Sequence, residues 1–338
     1  MTIRDIAARA GVTKGAVSFA LNGQPGVSEA TRTRILKVAK DLGWQPNSAA
    51  RALSSSKSGA VGLILARPAR TLGAEQFFMQ LISGIEAELS KRPIALVLQV
   101  VPDLEAEVAA YTRWWSERRV DGALLTDLRV EDSRVGVLRE LGIPAVVFGG
   151  PGHHDGLPGV WSDETTAMNA VVEHLVGLDH RRVARVAGRR EFLHTHLRDQ
   201  AFQAAVEQYD LLDGSTVYTD FSPAEGEAAT RQLLSADPLP SAIIFDNDVM
   251  AVAGARTAAE LGLQIPRDLS VVAWDDSILC QLTQPPLTAV SRDIEAYGAH
   301  GARALLELIE GAVPDIDVQD HAPSLVVRKS TAKARTRP

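Results

Sequence analysis

Between Ser54 and Gly59 the chain changes its hydrophobic period, and that change limits what it can fold into. Before this Ser/Gly-rich joint, SSSKSG, apolar residues recur three and four positions apart, the spacing of short amphipathic helices. After it, unbroken apolar runs alternate with helical stretches. The runs are VGLIL (61–65), IALVLQV (94–100), GALL (122–125) and AVVF (145–148), then VARVA (183–187), AIIF (242–245), SVVAW (270–274) and SLVVR (324–328). A strand that is apolar on both faces must be covered on both, so these runs predict parallel sheets between helix layers. PGHHDGLPG (151–159) splits them into two groups, which predicts two similar α/β subdomains with a cleft between them. The terminal KSTAKARTRP is basic, lacks core-forming residues, and is expected to be disordered.

The segment before the joint reads as three helices. Thr2 is a candidate N-cap with Asp5 three residues on, and Ile3, Ile6, Ala7 and Ala10 make one narrow apolar face. Gly11 can take the positive φ of a sharp helix exit. Thr13 then caps a second helix with Val17, Ala20 and Leu21 inward, and Ser28 caps a third, with Ile35, Leu36, Ala39 and Leu42 inward. Two helices about a tight turn form a helix-turn-helix, whose second helix enters the DNA major groove. Thr13, Lys14, Gly15, Ser18 and Phe19 lie where base edges are read. Lys14 can donate to guanine and Phe19 can meet a thymine methyl, while Thr13, Ser18 and Asn22 suit phosphate oxygens. A small three-helix interaction module is the competing reading.

Charge favours DNA. Residues 1–58 hold nine Lys/Arg against three Asp/Glu, leaving 26 against 39 for the rest of a chain whose net charge is -7. A basic head on an acidic body is the electrostatic footprint of a nucleic-acid reader. In the segment Trp44 to Leu53, AARAL is a good helix former, and Leu53 beside Arg51 would make an apolar wedge for a minor-groove base step. A linker leucine packed on the body explains the same residues equally well.

The single cysteine, Cys280, rules out an intramolecular disulfide and a thiolate metal cluster, and reads as a small half-buried residue ahead of a reactive thiol. No third ligand has metal spacing beside His153 and His154, which are expected in a solvated loop. His194 and His196 flank an expected cleft loop, where simple exposure is expected ahead of ligand contact. No nucleophile elbow, GxGxxG or Walker loop is present, so neither enzyme nor cofactor is expected. With no apolar leader and no run of about 18 apolar residues, a cytoplasmic protein without membrane contact is expected.

TIRDIAARAGVTKGAVSFALN, VSEATR and LGWQPNSAARAL resemble the LacI/GalR family of bacterial transcriptional regulators. So do FFMQLISGIE, VEHLVGLDHRRVARVAG, RDQAF, FDNDVMAVAGARTAAELGLQIPRDLSVVAWDD, PPLTAV and LVVRKS, in the family's order over almost the whole chain. The resemblance implies a helix-turn-helix head (1–45), a hinge helix and linker (46–58), and an α/β periplasmic-binding-protein-like body (59–338). The body would divide into a first subdomain of about 59–158 and 289–318 and a second of about 159–286 and 319–330. It further implies a homodimer on a pseudo-palindromic double-stranded operator, with Leu53 as the hinge leucine inserted at its centre. Thr2, Ile3, Ser28, Thr31, Trp44, Asn47, Arg51 and Ala52 complete the expected DNA contacts.

For the effector, the resemblance implies Phe77, Phe78, Asp127, Thr166, Arg198, Phe221, Asn247 and Asp275 around a small molecule, a sugar ahead of a purine. Arginine forks and aromatic faces suit sugar hydroxyls and C–H surfaces. Salt bridging for Arg198, core burial for Phe77 and Phe78, and helix capping for Asp275 are the ordinary alternatives. A transport-type solute-binding protein is the alternative function. The chain departs from the family pattern at Phe19, where many relatives carry arginine, at Gly15, and at Trp44 in place of tyrosine. At Thr166 some sugar-binding relatives carry an acidic residue.

Overall fold

The computed structural model describes residues 2–21, 23–44, 57–68, 72–73 and 75–335. Asn22, Asn47, Arg51, Ala52 and Leu53, and with them the expected hinge helix, lie outside the described residues. The chain separates into two compact units, residues 1–58 and 59–338.

The first unit is helical. α1 (Ile3–Ala10) begins where the Asp5 carboxylate accepts from the Thr2 N–H at 2.8 Å and from its hydroxyl at 3.1 Å. It ends at Gly11, whose φ of 64° is the left-handed exit that glycine adopts without strain. α2 (Lys14–Leu21) starts under the Thr13 hydroxyl, which accepts from the Ala16 N–H at 3.2 Å, and α3 (Glu29–Asp41) under Ser28. Ile6, Ala7, Ala10, Val17, Ala20, Ile35 and Ala39 form the small core. Leu36, expected inward, is 46% exposed. With Ile35 and Ala39 inward, position 36 sits about 100° round the helix, and Val38 and Leu42 take the packing instead.

The second unit holds two six-stranded sheets. The strands are β1 (Ala60–Ala66), β2 (Ala95–Val101), β3 (Gly122–Leu125), β4 (Ala145–Phe148), β5 (Gly159–Trp161), β6 (Val183–Ala187), β7 (Thr216–Tyr218), β8 (Ala242–Phe245), β9 (Ser270–Trp274), β10 (Thr288–Ser291), β11 (Asp317–Gln319) and β12 (Ser324–Val326). The first sheet runs β11-β5-β4-β3-β1-β2 and the second β12-β10-β9-β8-β6-β7. Pairing is parallel except between β10 and β12. Alternate residues of each central strand feed different cores: Leu63 and Leu65 go to one face of β1 and Ile64 to the other.

Four strands carry no clear sequence signal, because β5, β7, β10 and β11 are short and lack an unbroken apolar run, reading GVW, TVY, TAVS and DVQ. Two of them move the expected subdomain limits. β5 was expected to open the second subdomain but pairs with β4 of the first sheet, and β10, expected in the first, pairs with β9 of the second. The chain therefore passes between subdomains after Trp161, after Ser291 and after Gln319. The IALVLQV run is an edge strand, not a covered one, and leaves Leu98 45% and Val100 44% exposed.

The C-terminal tail is ordered through residue 335, against expectation. The buried Ser330 hydroxyl donates to the Val271 carbonyl at 2.6 Å and accepts from the Thr288 N–H at 2.7 Å. The Ala332 carbonyl accepts from His180, and Lys333 pairs with Asp179 at 3.1 Å. Backbone and hydroxyl groups, not apolar side chains, hold the tail, so hydrophobicity gave no sign of it. His154 likewise departs from its expected solvated loop. It is buried against Gly159 with Nε2 2.6 Å from Asp317.

Candidate functional site: a helix-turn-helix face and an inter-subdomain cleft

On the head, Thr13, Lys14 and Gly15 are exposed on the first turn of α2, and Phe19, one turn on, is 42% exposed with its ring against Gly26. Ser18 is half-buried beside them. Thr2 and Ser28 are exposed at the starts of α1 and α3, where backbone N–H groups suit phosphate oxygens. Ile3, Thr31 and Trp44 are half-buried, with Ile3 and Trp44 packed on the core and Thr31 accepting from the Ser28 hydroxyl at 2.9 Å.

In the body, the C-terminal ends of the strands face a cleft of about 90 Å³ between the two subdomains. This is where open α/β sheets present ligand-binding side chains. Seven of the eight expected effector residues line it: Phe77, Phe78, Asp127, Arg198, Phe221, Asn247 and Asp275. Thr166 does not. It is exposed in the first turn of α7 (Glu164–Gly177), where its N–H and hydroxyl both donate to the capping Asp163 carboxylate. The acidic group at this end of the cleft is Glu164, two residues earlier and buried.

A chain of charges lines one wall of the cleft. Arg198, on α8 (Leu193–Gln208), donates from Nε to Glu164 at 2.7 Å and lies 4.1 Å over the Trp274 ring. Glu164 also pairs with Arg292 at 3.2 Å, and Arg292 donates to Asp275 at 3.1 Å. Burial by itself would raise Glu164, but Arg198 and Arg292 hold it below the usual carboxylate range. Asp127 behaves alike, its burial outweighed by a fork from Arg67 whose Nε and Nη2 reach it at 2.8 and 3.0 Å. For two carboxyls burial wins, over Arg67 at 3.7 Å in the case of Glu75. Burial pushes Glu75 up to about 7 and Asp248 to about 6. Burial, then the neighbouring Arg198, drives His194 down to about 4, so its imidazole is neutral at physiological pH.

Phe221 is fixed from several sides. It stands at φ 71°, a conformation that a bulky residue adopts only under constraint from its surroundings. The Asn247 amide donates to its carbonyl at 3.1 Å while accepting from the Met250 N–H, so Asn247 both caps α10 (Asp248–Glu260) and holds Phe221. A Cβ on Gly188 would lie 1.7 Å from the ring, so only glycine leaves it room. Asp127 (51°) and Asp275 (64°) share the positive φ, which aims three cleft residues inward at strand ends.

Sequence reasoning missed Arg67, Glu75, Glu164, Asp246, Asp248, Arg292 and Tyr297, all cleft-lining. Arg67 and Asp246 directly follow apolar strands, a usable signal for a strand-end site. Arg292 follows β10, which was not recognised as a strand.

Residues 2–47 match the profile of "Bacterial regulatory proteins, lacI family", and residues 172–331 that of a periplasmic binding protein-like domain. The chain is 32% identical over 319 residues to the HTH-type transcriptional regulator CelR of Thermobifida fusca, covering 92% of each. It is 33% identical over 347 residues to the HTH-type transcriptional regulator MalR of Streptomyces coelicolor, covering 99% of this chain and 98% of MalR. Among solved structures, a lac repressor dimer bound to operator and the anti-inducer ONPF superposes with a TM-score of 0.85 at 26% identity, over 98% of this chain and 99% of that one. A CelR–cellobiose complex gives 0.74 at 29%, again over 98% and 99%. With its exposed reading helix and its strand-end cleft, this chain belongs to the LacI family of bacterial regulatory proteins and is a DNA-binding transcriptional regulator.

Proposed function

We propose that the protein is a carbohydrate-responsive repressor that binds a pseudo-palindromic operator as a homodimer. The observation that carries the ligand class is the cleft's charge. Six carboxylates line it (Glu75, Asp127, Glu164, Asp246, Asp248 and Asp275) against three arginines (Arg67, Arg198 and Arg292). Each arginine is already paired with a carboxylate of the same cleft. An anionic effector would meet repulsion, whereas a neutral polyhydroxylated one offers the hydroxyl donors that spare carboxylate oxygens accept. Phe77 and Phe221 add apolar surface for sugar C–H groups. CelR, a relative, forms a complex with cellobiose.

Self-association is supported by exposed apolar side chains on both subdomains. Met79 (62%) stands out on the first, with Leu98 and Val100, and Leu282 (72%) on the second, with Ile278. Residues 46–58, with Leu53 as wedge and Asn47, Arg51 and Ala52 as neighbouring contacts, join the reader to the body. Ligand would shift operator affinity only by its preference for one conformation, typically about 1–3 kcal/mol. The regulators it matches along their length support a non-enzymatic, cytoplasmic role. Among the described residues no helix is long and apolar enough to cross a membrane.

Selection of random double-stranded DNA by the full chain, followed by titration with cellobiose and maltose, tests this reading. A two-fold-symmetric sequence should be enriched, and one of the sugars should shift its affinity. Enrichment of no sequence, or of an asymmetric site bound by one copy, would overturn it.

A further inference from the structure

Arg67 leaves β1 at the mouth of the cleft, yet it is only 4% exposed. Its guanidinium is held on every side but one. Nε and Nη2 fork onto Asp127. Its Cζ lies 4.8 Å from the ring centres of both Phe192 and Phe221, in the second subdomain, and 5.4 Å from that of Phe78 in its own. Nη1 is buried and makes no hydrogen bond among the described residues; Glu75, 3.7 Å away, is the nearest opposite charge. A buried charged donor left unmatched carries its full desolvation penalty, so such a group calls for a partner that completes it.

We infer that Arg67 is a ligand-reading residue of the cleft: Nη1 donates to one hydroxyl oxygen of the bound carbohydrate while Glu75 accepts from the adjacent hydroxyl. This rests on the carbohydrate reading above and adds the group that is recognised, a pair of neighbouring hydroxyls. Of the three cleft arginines, only Arg67 has a guanidinium nitrogen that is both buried and unmatched among the described residues. Arg198 is anchored on Glu164 and on the Asp246 carbonyl, and Arg292 bridges Glu164 and Asp275, so both brace the cleft wall. Arg67 is braced too, but with one donor to spare. Because the fork and three rings already fix its rotamer, a ligand bond to Nη1 costs little side-chain entropy. The Glu75 carboxyl, raised by burial to about 7, meets a ligand hydroxyl either as acceptor or as donor.

The test is a double-mutant cycle between protein and ligand. A panel of neutral mono- and disaccharides, with cellobiose and maltose among them, is screened on the full chain by thermal shift. The sugar that binds is then titrated calorimetrically, with its monodeoxy analogues, against the parent and R67M. The parent should bind one or two analogues about tenfold more weakly, the loss expected for one hydrogen bond to a charged group. In R67M the sugar itself should bind about tenfold or more weakly, and those analogues should suffer no further loss. If every analogue keeps its penalty in R67M, Arg67 supports the cleft without reading ligand, and the inference falls while the carbohydrate reading stands. If no sugar binds the parent, the carbohydrate reading fails and takes the inference with it. Should R67M fail to fold because Asp127 is stranded, R67M/D127N removes that stranded charge and, titrated against D127N in place of the parent, closes the same cycle.

Discussion

The head and the cleft use charged and aromatic side chains in opposite ways. On the head, Lys14 and Phe19 are both exposed on α2, backed by a core of seven small or medium apolar residues. In the cleft, Arg67, Glu164, Arg198 and Asp246 are each at most 6% exposed and locked to partners on other elements. An exposed cation attracts a polyanion over a distance set by screening and loses strength as salt rises. A buried, paired charge cannot act at range, but its geometry is fixed and its removal strands its partner. The head is thus suited to find and grip DNA, and the cleft to discriminate among small molecules.

Removing a cleft charge should have the largest effect. Arg198→Ala leaves Glu164 with one partner and uncovers the Trp274 face, so stability should fall by about 3–5 kcal/mol and ligand response should vanish. A loss under about 1 kcal/mol in urea denaturation, as for an exposed pair, would break the contrast with the head. A second test uses pH. Glu75 binds its proton more tightly folded, at about 7, than unfolded. Its contribution is therefore complete below the ordinary carboxylate pKa and is lost as pH climbs through 7. Relative to the parent, Glu75→Gln should gain stability between pH 5 and pH 8, by up to about 3 kcal/mol from the size of the shift. An equal difference at both pH values would show Glu75 ionising normally.

On the head, Lys14→Ala should leave folding unchanged and cost about 1–3 kcal/mol in DNA affinity if the amine reads a base. Should it contact phosphate instead, the loss is uniform across sequences and the salt slope falls by about one. Binding isotherms at several salt concentrations, on selected and scrambled DNA, separate the two. The smallest change belongs to Thr166→Ala. With Thr166 outside the cleft, sugar affinity should be unaltered and stability should move by no more than about 0.5 kcal/mol. A tenfold loss of affinity would return Thr166 to the site.

What could be read from sequence divides along the same line. The head's caps at Thr13 and Ser28, the exit at Gly11 and the exposed face at Lys14 and Phe19 are local consequences of helical period and turn chemistry. Among the described residues of the head, Leu36 is the one misassigned, because one apolar residue more than the inner face can hold occurs in that turn. The central strands are equally legible, since a four- or five-residue apolar run has few other uses. Arg198, Phe221 and Asp275 were reached by resemblance, not by pattern. Thr166 failed because the acidic group of the cleft stands at Glu164. Arg67 and Arg292 were missed, since a lone arginine beside an apolar run reads as an ordinary surface charge.

By itself, then, the sequence determined the kind of elements, their order, the division at Ser54–Gly59 and the basic sign of the head, all set by interactions between near neighbours in the chain. Tertiary structure decided the rest. It put β5 in the first sheet and β10 in the second, docked the tail through Ser330, and brought Arg67, Glu164, Phe221 and Arg292 from four separate stretches to one cleft. Those positions depend on which strand ends meet across the crossovers. No local period records that, because the energy favouring it comes from contacts between different elements, from the neighbouring strands that pair Val147 with Gly159 to the distant stretches that join Glu164 to Arg292.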